Sequence, residues 1–237
     1  MSADANFTKE NLDMCLRELA KEFRKINGTK MSAEIILVGG AAILANYGFR
    51  EMTYDMDAVV MASSAMKEAI NRVGDRLNLP NGWLNTDFTR TTSYSDKLFQ
   101  VSSYYRTYSN ILTVRTVTAE YLVAMKLMSG RKYKNDLSDI AGILLEHQRL
   151  GMPLTKESIE SAFAMLYGDL SKMHADSKSY LEGALNCGDY ENLYRQSRQS
   201  ELQSKEILLD FNDKYPKALK EESIDAVLER ARQRRDS

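Results

Sequence analysis

Two aspartates, Asp55 and Asp57, are separated by a single residue in the segment T-Y-D-M-D-A-V-V-M-A. The segment predicts a strand from Asp55 to Ala62, and residues two apart on a strand point to the same face. Two carboxylates on one face repel each other unless a cation lies between them, and Mg²⁺ is a natural candidate because it commonly bridges carboxylates to phosphates. The pair therefore predicts a metal site, with a solvated strand edge as the alternative.

A pair of glycines, Gly39 and Gly40, directly follows the apolar run I-I-L-V. Because glycine has no Cβ, their backbone N–H groups are open to close approach by a phosphate. The short helix predicted after them, from Ala41 to Tyr47, presents an N-terminus whose N–H groups and dipole favour an anion. The glycines therefore predict a phosphate-binding turn, and the alternative is an ordinary turn without a ligand.

The order of these motifs strengthens both interpretations. A strand is predicted from Glu34 to Val38, and its apolar residues on both faces are typical of a buried strand. It is followed in turn by the glycine pair, the short helix and the strand that opens with the two aspartates. Either motif alone is a weak indication of function, but together they predict one site built from consecutive elements.

A second group of charges lies further along the chain. Lys126 is predicted to contact phosphate as a point charge, and Arg131 to contact phosphate or to pair with an acid. The acids in question are Asp136 and Asp139, which are three residues apart on one helix face. A purely structural ion-pair network remains the alternative for this cluster.

The remaining pattern predicts an α+β protein, with a small mixed sheet inside residues 30–120 and a helical C-terminal region. We expect one domain over residues 1–152, including an N-terminal helix, and a helical region over 153–237. The other predicted strands are Leu98–Tyr105 and Ile111–Val117, joined by a turn near Ser109. The other predicted helices cover residues 8–28, 63–77, 118–131, 135–150, 155–167, 176–186, 189–213 and 216–235.

Composition excludes several classes of function. The 237 residues include 32 basic and 33 acidic side chains, so a net charge of −1 gives no overall attraction to nucleic acid or anionic membrane. The two cysteines, Cys15 and Cys187, match no metal-ligand spacing. The polar N-terminus does not resemble a signal peptide, and no apolar run approaches the length of a membrane span. We therefore expect a cytoplasmic protein.

The segments G-G-A-A-I-L and T-Y-D-M-D resemble the signature of the nucleotidyltransferase superfamily. The resemblance is closest to its small prokaryotic branch, which includes abortive-infection and toxin–antitoxin nucleotidyltransferases. The stretch from Leu112 to Ile140 is similar to a later motif of that branch, and W-L-N at residues 83–85 is similar to uncharacterised members. In all, the resemblance covers roughly residues 33–150.

The resemblance implies a role for each motif. Gly39 and Gly40 would contact a nucleoside triphosphate, and Asp55 and Asp57 would bind Mg²⁺ as the catalytic pair. It implies transfer of a nucleotidyl group to a hydroxyl of RNA (such as tRNA) or of a protein, in a toxin or defence role with an antitoxin partner.

The chain departs from the superfamily pattern at a third carboxylate, which active members usually carry on a later strand. The strand predicted from Leu98 to Tyr105 has no acid, and the nearest substitutes are Asp87, Asp96 and Glu120. Loss of this acid weakens general-base catalysis without abolishing nucleotide binding. The alternative function is therefore a catalytically incomplete nucleotide-binding or protein-interaction module.

Overall fold

The computed structural model describes residues 6–29, 31–216, 218–220 and 223–235. The strands are β1 (Ala33–Leu37), β2 (Met56–Met61), β3 (Leu84–Asn85), β4 (Ser102–Tyr108) and β5 (Leu112–Val117). The helices are α1 (Lys9–Asn27), α2 (Gly39–Asn46), α3 (Ala65–Leu77), α4 (Leu98–Val101), α5 (Ala119–Ser129), α6 (Asp136–Arg149), α7 (Lys156–Tyr167), α8 (Ala175–Asn186), α9 (Tyr190–Lys214) and α10 (Ile224–Arg235). The predicted α+β class is confirmed.

The five strands form one mixed sheet in the order β3-β2-β1-β5-β4. β1 pairs antiparallel with β2 and parallel with β5, while β4 pairs antiparallel with β5 and β3 parallel with β2. The last residues of β1 and β5 therefore lie at the same edge of the sheet as the first residues of β2, β3 and β4. This edge, which we call the site edge, carries both the glycine pair and the two aspartates.

β1 lies in the middle of the sheet, as its sequence predicts. Ile35, Ile36 and Leu37 are all buried, so both faces of the strand are covered. A strand with apolar residues on both faces is stable only where both faces are packed, which is typical of a central strand.

Helix α1 begins and ends where its capping residues predict. Thr8 accepts a hydrogen bond from the Asn11 N–H, the Asn11 side chain accepts one from the Thr8 N–H, and Gly28 ends the helix with a φ of 69°. The apolar face is buried at helical spacing, which positions α1 against the rest of its unit. Its buried side chains include Leu12, Leu16, Leu19 and Phe23.

The prediction of a strand beginning at Leu98 is wrong. Residues 98–101 form the short helix α4, and β4 begins only at Ser102. Leu98 and Val101 are both buried, and a spacing of three residues places them on one face of a helical turn but on opposite faces of a strand. The turn predicted near Ser109 is present, with positive φ values at Ser109 and Asn110.

The chain forms two compact units. The first contains Met1–Met125 with Lys156–Lys172, and includes the whole sheet. The second contains Lys126–Thr155 with Met173–Ser237, and is helical where it is described. The domain division expected at residue 152 stays a prediction.

The helical unit has a small apolar cluster of its own, formed by Ile207, Leu208, Ile224 and Leu228.

The first three predicted C-terminal helices are present within about two residues of their expected ends. The fourth begins at Ile224 rather than at 216, and residues 217, 221 and 222 of the predicted segment lie outside the described part of the chain. None of the described helices combines the length and the apolar character that a bilayer span requires.

Candidate functional site

The Asp57 side chain lies beside Gly39 at the site edge. Leu37 lies opposite Ala58 in the antiparallel pair, so the end of β1 meets the beginning of β2. The Val38 N–H donates to the Asp57 carbonyl at 3.0 Å and extends this pairing by one residue. A Cβ placed on Gly39 would lie 3.6 Å from Asp57 Oδ2. The structure therefore brings one predicted phosphate-binding residue and one predicted metal ligand together.

The glycines occupy the first turn of α2, which begins at Gly39 and not at Ala41 as the sequence predicts. Gly39 has a φ of +55°, a left-handed conformation that glycine adopts without strain. The residue before it, Val38, provides no side-chain cap, and the first turn contains no acidic residue. The N–H groups and positive dipole of this turn therefore favour an anionic ligand.

Asp55 lies in a different environment from Asp57. Strand pairing of β2 begins with Met56, opposite Leu84, so Asp57 is on the strand and Asp55 lies in the bend before it. The expectation that both aspartates lie on the strand is therefore wrong by one residue. Asp57 is half-buried and Asp55 is exposed.

Arg50 is a residue of this site that the sequence analysis does not identify. A Cβ on Gly40 would lie 2.8 Å from Arg50 Nη2 and 2.6 Å from Thr53 Oγ1, so both side chains occupy the space that the glycine leaves. Arg50 is the single basic residue in the sequence between α2 and β2, and no spacing marks it as functional. Only the fold shows that this loop turns back over the glycine pair.

The fit of a metal ion to this site depends on what the substrate would supply. Within the described residues, no group of three or more His, Cys, Asp or Glu side chains could hold a metal ion. Asp55 and Asp57 offer the hard oxygen ligands that Mg²⁺ prefers, and Mg²⁺ is usually held by one or two carboxylates together with substrate phosphates. The pair therefore fits a metal that binds with a nucleotide rather than one enclosed by protein ligands.

The third carboxylate does not join this pair in the described structure. Asp87 begins a 3-10 turn, Asp96 precedes α4, and Glu120 in the first turn of α5 accepts a hydrogen bond from the Thr118 hydroxyl at 3.0 Å. None of these substitutes forms a three-acid group with Asp55 and Asp57.

The Lys126 cluster is a buried ion-pair network. Lys126 Nζ lies 2.9 Å from Asp136 Oδ1 and 2.8 Å from Asp139 Oδ2, and all three side chains are buried. Arg131 Nε donates to Asp136 Oδ2 at 3.0 Å. Burial alone would raise the pKa of Asp136, but the charges of Lys126 and Arg131 and their hydrogen bonds hold it well below its ordinary value. These contacts support the structural alternative, and the predicted contacts of Lys126 and Arg131 with phosphate stay predictions.

Another buried acid, Glu201, lies in the helical unit. Glu201 Oε1 accepts from the N–H groups of Leu137 and Ser138 at 2.8 and 3.2 Å, and Oε2 accepts from the Ser138 hydroxyl at 2.5 Å. It therefore caps the beginning of α6 from α9. Burial raises the pKa of Glu201 to about 7, although the three hydrogen bonds act in the opposite direction.

Residues 14–182 match a protein family described as a nucleotidyltransferase of unknown function (DUF6036). The match covers more than half of the chain. The protein belongs to this family. Neither a curated protein nor a solved structure matches it.

Membership of this nucleotidyltransferase family confirms the resemblance at the level of the superfamily. The abortive-infection and toxin–antitoxin branch stays a prediction. The matched region is wider than the resemblance predicted from the sequence, because it includes most of α1 at one end and α7 with part of α8 at the other. Glu201 lies beyond it, whereas the glycine pair, both aspartates and Arg50 lie within it.

Proposed function

We propose that the protein binds a nucleoside triphosphate together with Mg²⁺ at the site edge and transfers a nucleotidyl group to a hydroxyl acceptor. The observation that carries the proposal is the position of the Asp57 carboxylate beside Gly39, where a Cβ built on the glycine would lie 3.6 Å from Asp57 Oδ2. It joins a glycine-containing helix N-terminus, suited to phosphate, to a carboxylate suited to a metal ion. The family description supports the reaction class.

Each residue of the site has a defined role in the proposed reaction. The first-turn N–H groups of Gly39 and Gly40 would bind phosphate oxygens, and Asp55 and Asp57 would be the protein ligands of Mg²⁺. When bound, Mg²⁺ supplies positive charge that offsets the charge developing on the phosphates. The acceptor oxygen forms a bond to the α-phosphorus, the bond from that phosphorus to the bridging oxygen breaks, pyrophosphate leaves, and the hydroxyl proton passes to solvent.

The acceptor and the biological role are proposed from the resemblance. It supports an RNA such as tRNA, or a protein, as the source of the hydroxyl. It also supports a toxin or defence role in which an antitoxin protein is the partner.

A second candidate function is nucleotide binding without turnover, in a sensor or protein-interaction module. One observation favours it: no third carboxylate joins Asp55 and Asp57 among the described residues. General-base catalysis contributes roughly a hundredfold to ten-thousandfold, so a site without that base binds nucleotide better than it turns nucleotide over.

Incorporation of labelled nucleotide distinguishes the two functions. The protein is incubated with each of four labelled ribonucleoside triphosphates and Mg²⁺, against total RNA and total protein. We expect incorporation that requires Mg²⁺. It should fall at least about a hundredfold in Asp57→Ala, because the metal ion loses one of its two protein ligands. Asp75→Ala is the matched control, since Asp75 is an exposed aspartate on α3.

Three results separate the possibilities. Incorporation lost in Asp57→Ala but kept in Asp75→Ala supports transfer. Mg²⁺-dependent triphosphate binding by the wild-type protein, with no incorporation into either acceptor, supports the binding module. Absence of triphosphate binding, measured by calorimetry on the folded wild-type protein, contradicts both functions.

A further inference from the structure

Arg50 is fixed in place by contacts on its own loop. Its Nε donates to the Met52 carbonyl at 3.0 Å, which orients the planar guanidinium. Three residues after Arg50, the Thr53 N–H donates to the Phe7 carbonyl at 2.9 Å and the Phe7 N–H donates to the Thr53 carbonyl at 2.7 Å. Phe7 and Thr53 are both buried, so the loop that carries Arg50 is anchored within the sheet-containing unit.

The anchored loop places the guanidinium directly on the first turn of α2. The Gly40 Cβ position lies 2.8 Å from Arg50 Nη2 and 3.0 Å from Arg50 Cζ. Any other residue at position 40 would displace this group or Thr53. Gly40 therefore leaves the space that the guanidinium occupies, and it also leaves its N–H open to a phosphate.

Arg50 and Asp57 lie beside consecutive residues of one helical turn, the arginine at Gly40 and the aspartate at Gly39. The turn thus combines a guanidinium, a carboxylate and the N–H groups of a helix N-terminus. A triphosphate with a bound Mg²⁺ presents both kinds of partner to such a turn, because its metal takes the carboxylate and its oxygens take the N–H donors. Arginine is also suited to binding the phosphate oxygens, since its planar guanidinium can donate to two of them at once.

We propose that Arg50 is a substrate-binding residue, whose guanidinium contacts the phosphates of the nucleotide at the first turn of α2. The inference rests on the proposed function and adds to it the positive side chain of the phosphate site. Arg50 is half-buried, so it contacts both the loop and the solvent from which a nucleotide arrives.

The test compares Arg50→Gln with the wild-type protein in calorimetric titrations with nucleoside triphosphates, monophosphates and nucleosides, each with Mg²⁺ and with EDTA. We expect triphosphate affinity to fall about 10- to 100-fold, as for loss of a hydrogen bond to a charged group, and nucleoside affinity to stay unchanged. The loss persists in EDTA, because the guanidinium binds phosphate without the metal. Arg50→Lys restores part of the affinity, and Arg90→Gln, at an exposed arginine of the same unit, is the control.

Gly40→Ala provides a second route to the same site, because its methyl group would displace the guanidinium, the Thr53 side chain or both, while leaving the charge in the chain. We expect the same loss, greatest for the triphosphate. The inference is overturned, and the proposed function kept, if the wild-type protein binds triphosphate and Arg50→Gln binds it equally well. It is also overturned if Arg50→Gln loses affinity for nucleosides and triphosphates alike. Failure of the wild-type protein to bind any triphosphate overturns both.

Discussion

Two pairs of aspartates with similar spacing have different surroundings in this protein. Asp136 and Asp139, in the helical unit, are buried and lie within 3.0 Å of the positive groups of Lys126 and Arg131. Asp57, in the sheet-containing unit, is half-buried beside the first turn of α2, and Asp55 is exposed in the bend before it. The spacing of acids therefore identifies candidates, and the groups around them indicate what they do.

The difference has an electrostatic cause. A carboxylate that is removed from water requires a nearby positive charge, because desolvation costs several kcal/mol per ion. The helical unit supplies that charge to its buried acids from Lys126 and Arg131. The half-buried and exposed aspartates of the site edge keep contact with solvent, which is the environment that a metal-bound nucleotide can reach.

The largest effect is expected from Lys126→Met, which removes the ammonium group between Asp136 and Asp139. Two buried carboxylates then lose their shared cation, and breaking a buried pair in this way costs about 3–5 kcal/mol. We expect the free energy of unfolding, measured by urea denaturation, to fall by that amount. Lys132→Met is the control, because the partner of Lys132, Asp176, is exposed and such pairs contribute about 0–1 kcal/mol.

This prediction also decides between the two interpretations of Lys126. If Lys126→Met unfolds at the same urea concentration as the wild-type protein but has a lower affinity for triphosphate, the lysine is the phosphate contact that the sequence predicts. The contrast between the two acidic pairs would then be wrong.

A smaller effect is expected from Glu201→Gln, through the pH dependence of stability. Folding raises the pKa of Glu201 from an ordinary value near 4.5 to about 7. The protonated side chain therefore contributes to the free energy of unfolding, and this contribution is fully present below the pKa of the unfolded chain and is lost as the pH rises through the pKa of the folded protein. Between about pH 4.5 and pH 7 the wild-type protein should lose roughly 2–3 kcal/mol from this group. In Glu201→Gln that decrease should disappear, because the amide cannot ionise.

Chemical denaturation at a series of pH values measures this profile. Glu206→Gln, at an exposed glutamate of the same helix, is the control and should retain the wild-type slope. A Glu201→Gln profile that is parallel to that of the wild-type protein would show that burial at α9 does not disfavour the charged carboxylate.

The smallest effect on stability is expected from Gly39→Ala. The φ of +55° at this position costs a residue with a Cβ about 1–2 kcal/mol, although the methyl group itself would make only an ordinary contact with Asp57 at 3.6 Å. Thermal unfolding should therefore show a loss of that size together with weaker triphosphate binding. Gly48→Ala is the matched control, because no positive φ and no neighbour within 4 Å oppose a methyl group there. Equal stability of the two variants would contradict the left-handed geometry at Gly39.

Most of the fold follows from local sequence patterns. Thr8 and Gly28 mark the ends of α1, and the doubly apolar run near Ile36 marks the central strand. The proximity of Gly39 to Asp57 follows from the antiparallel pairing of β1 with β2, in which the end of one strand lies beside the beginning of the other. Strand β4 was misplaced because Leu98 and Val101 belong to a β-rich segment in which helical and strand spacing are hard to distinguish over four residues.

The site is less predictable than the fold, because tertiary contacts determine the partner of each charged residue. The sequence leaves both phosphate contact and an ion-pair network open for Lys126 and Arg131, and the contacts of the fold support the network. No local pattern shows that Arg50 folds back onto Gly40. Glu201 is 63 residues from Ser138 in the chain, so its raised pKa arises from a contact that spacing does not reveal. Residue type and order predicted the acids and glycines, and the fold was needed to identify their neighbours.

The central claim is that the acids of the site edge, and not those of the helical unit, hold the metal of a bound nucleotide. It is tested most directly by adding small amounts of paramagnetic Mn²⁺ with a nucleoside triphosphate to isotope-labelled protein and following the backbone amide signals by NMR. The signals of Gly39, Gly40 and Asp57 should broaden first, while those of Asp136 and Asp139 persist. Broadening that begins at Asp136 and Asp139, or that leaves Gly39 and Asp57 unaffected, would contradict the claim.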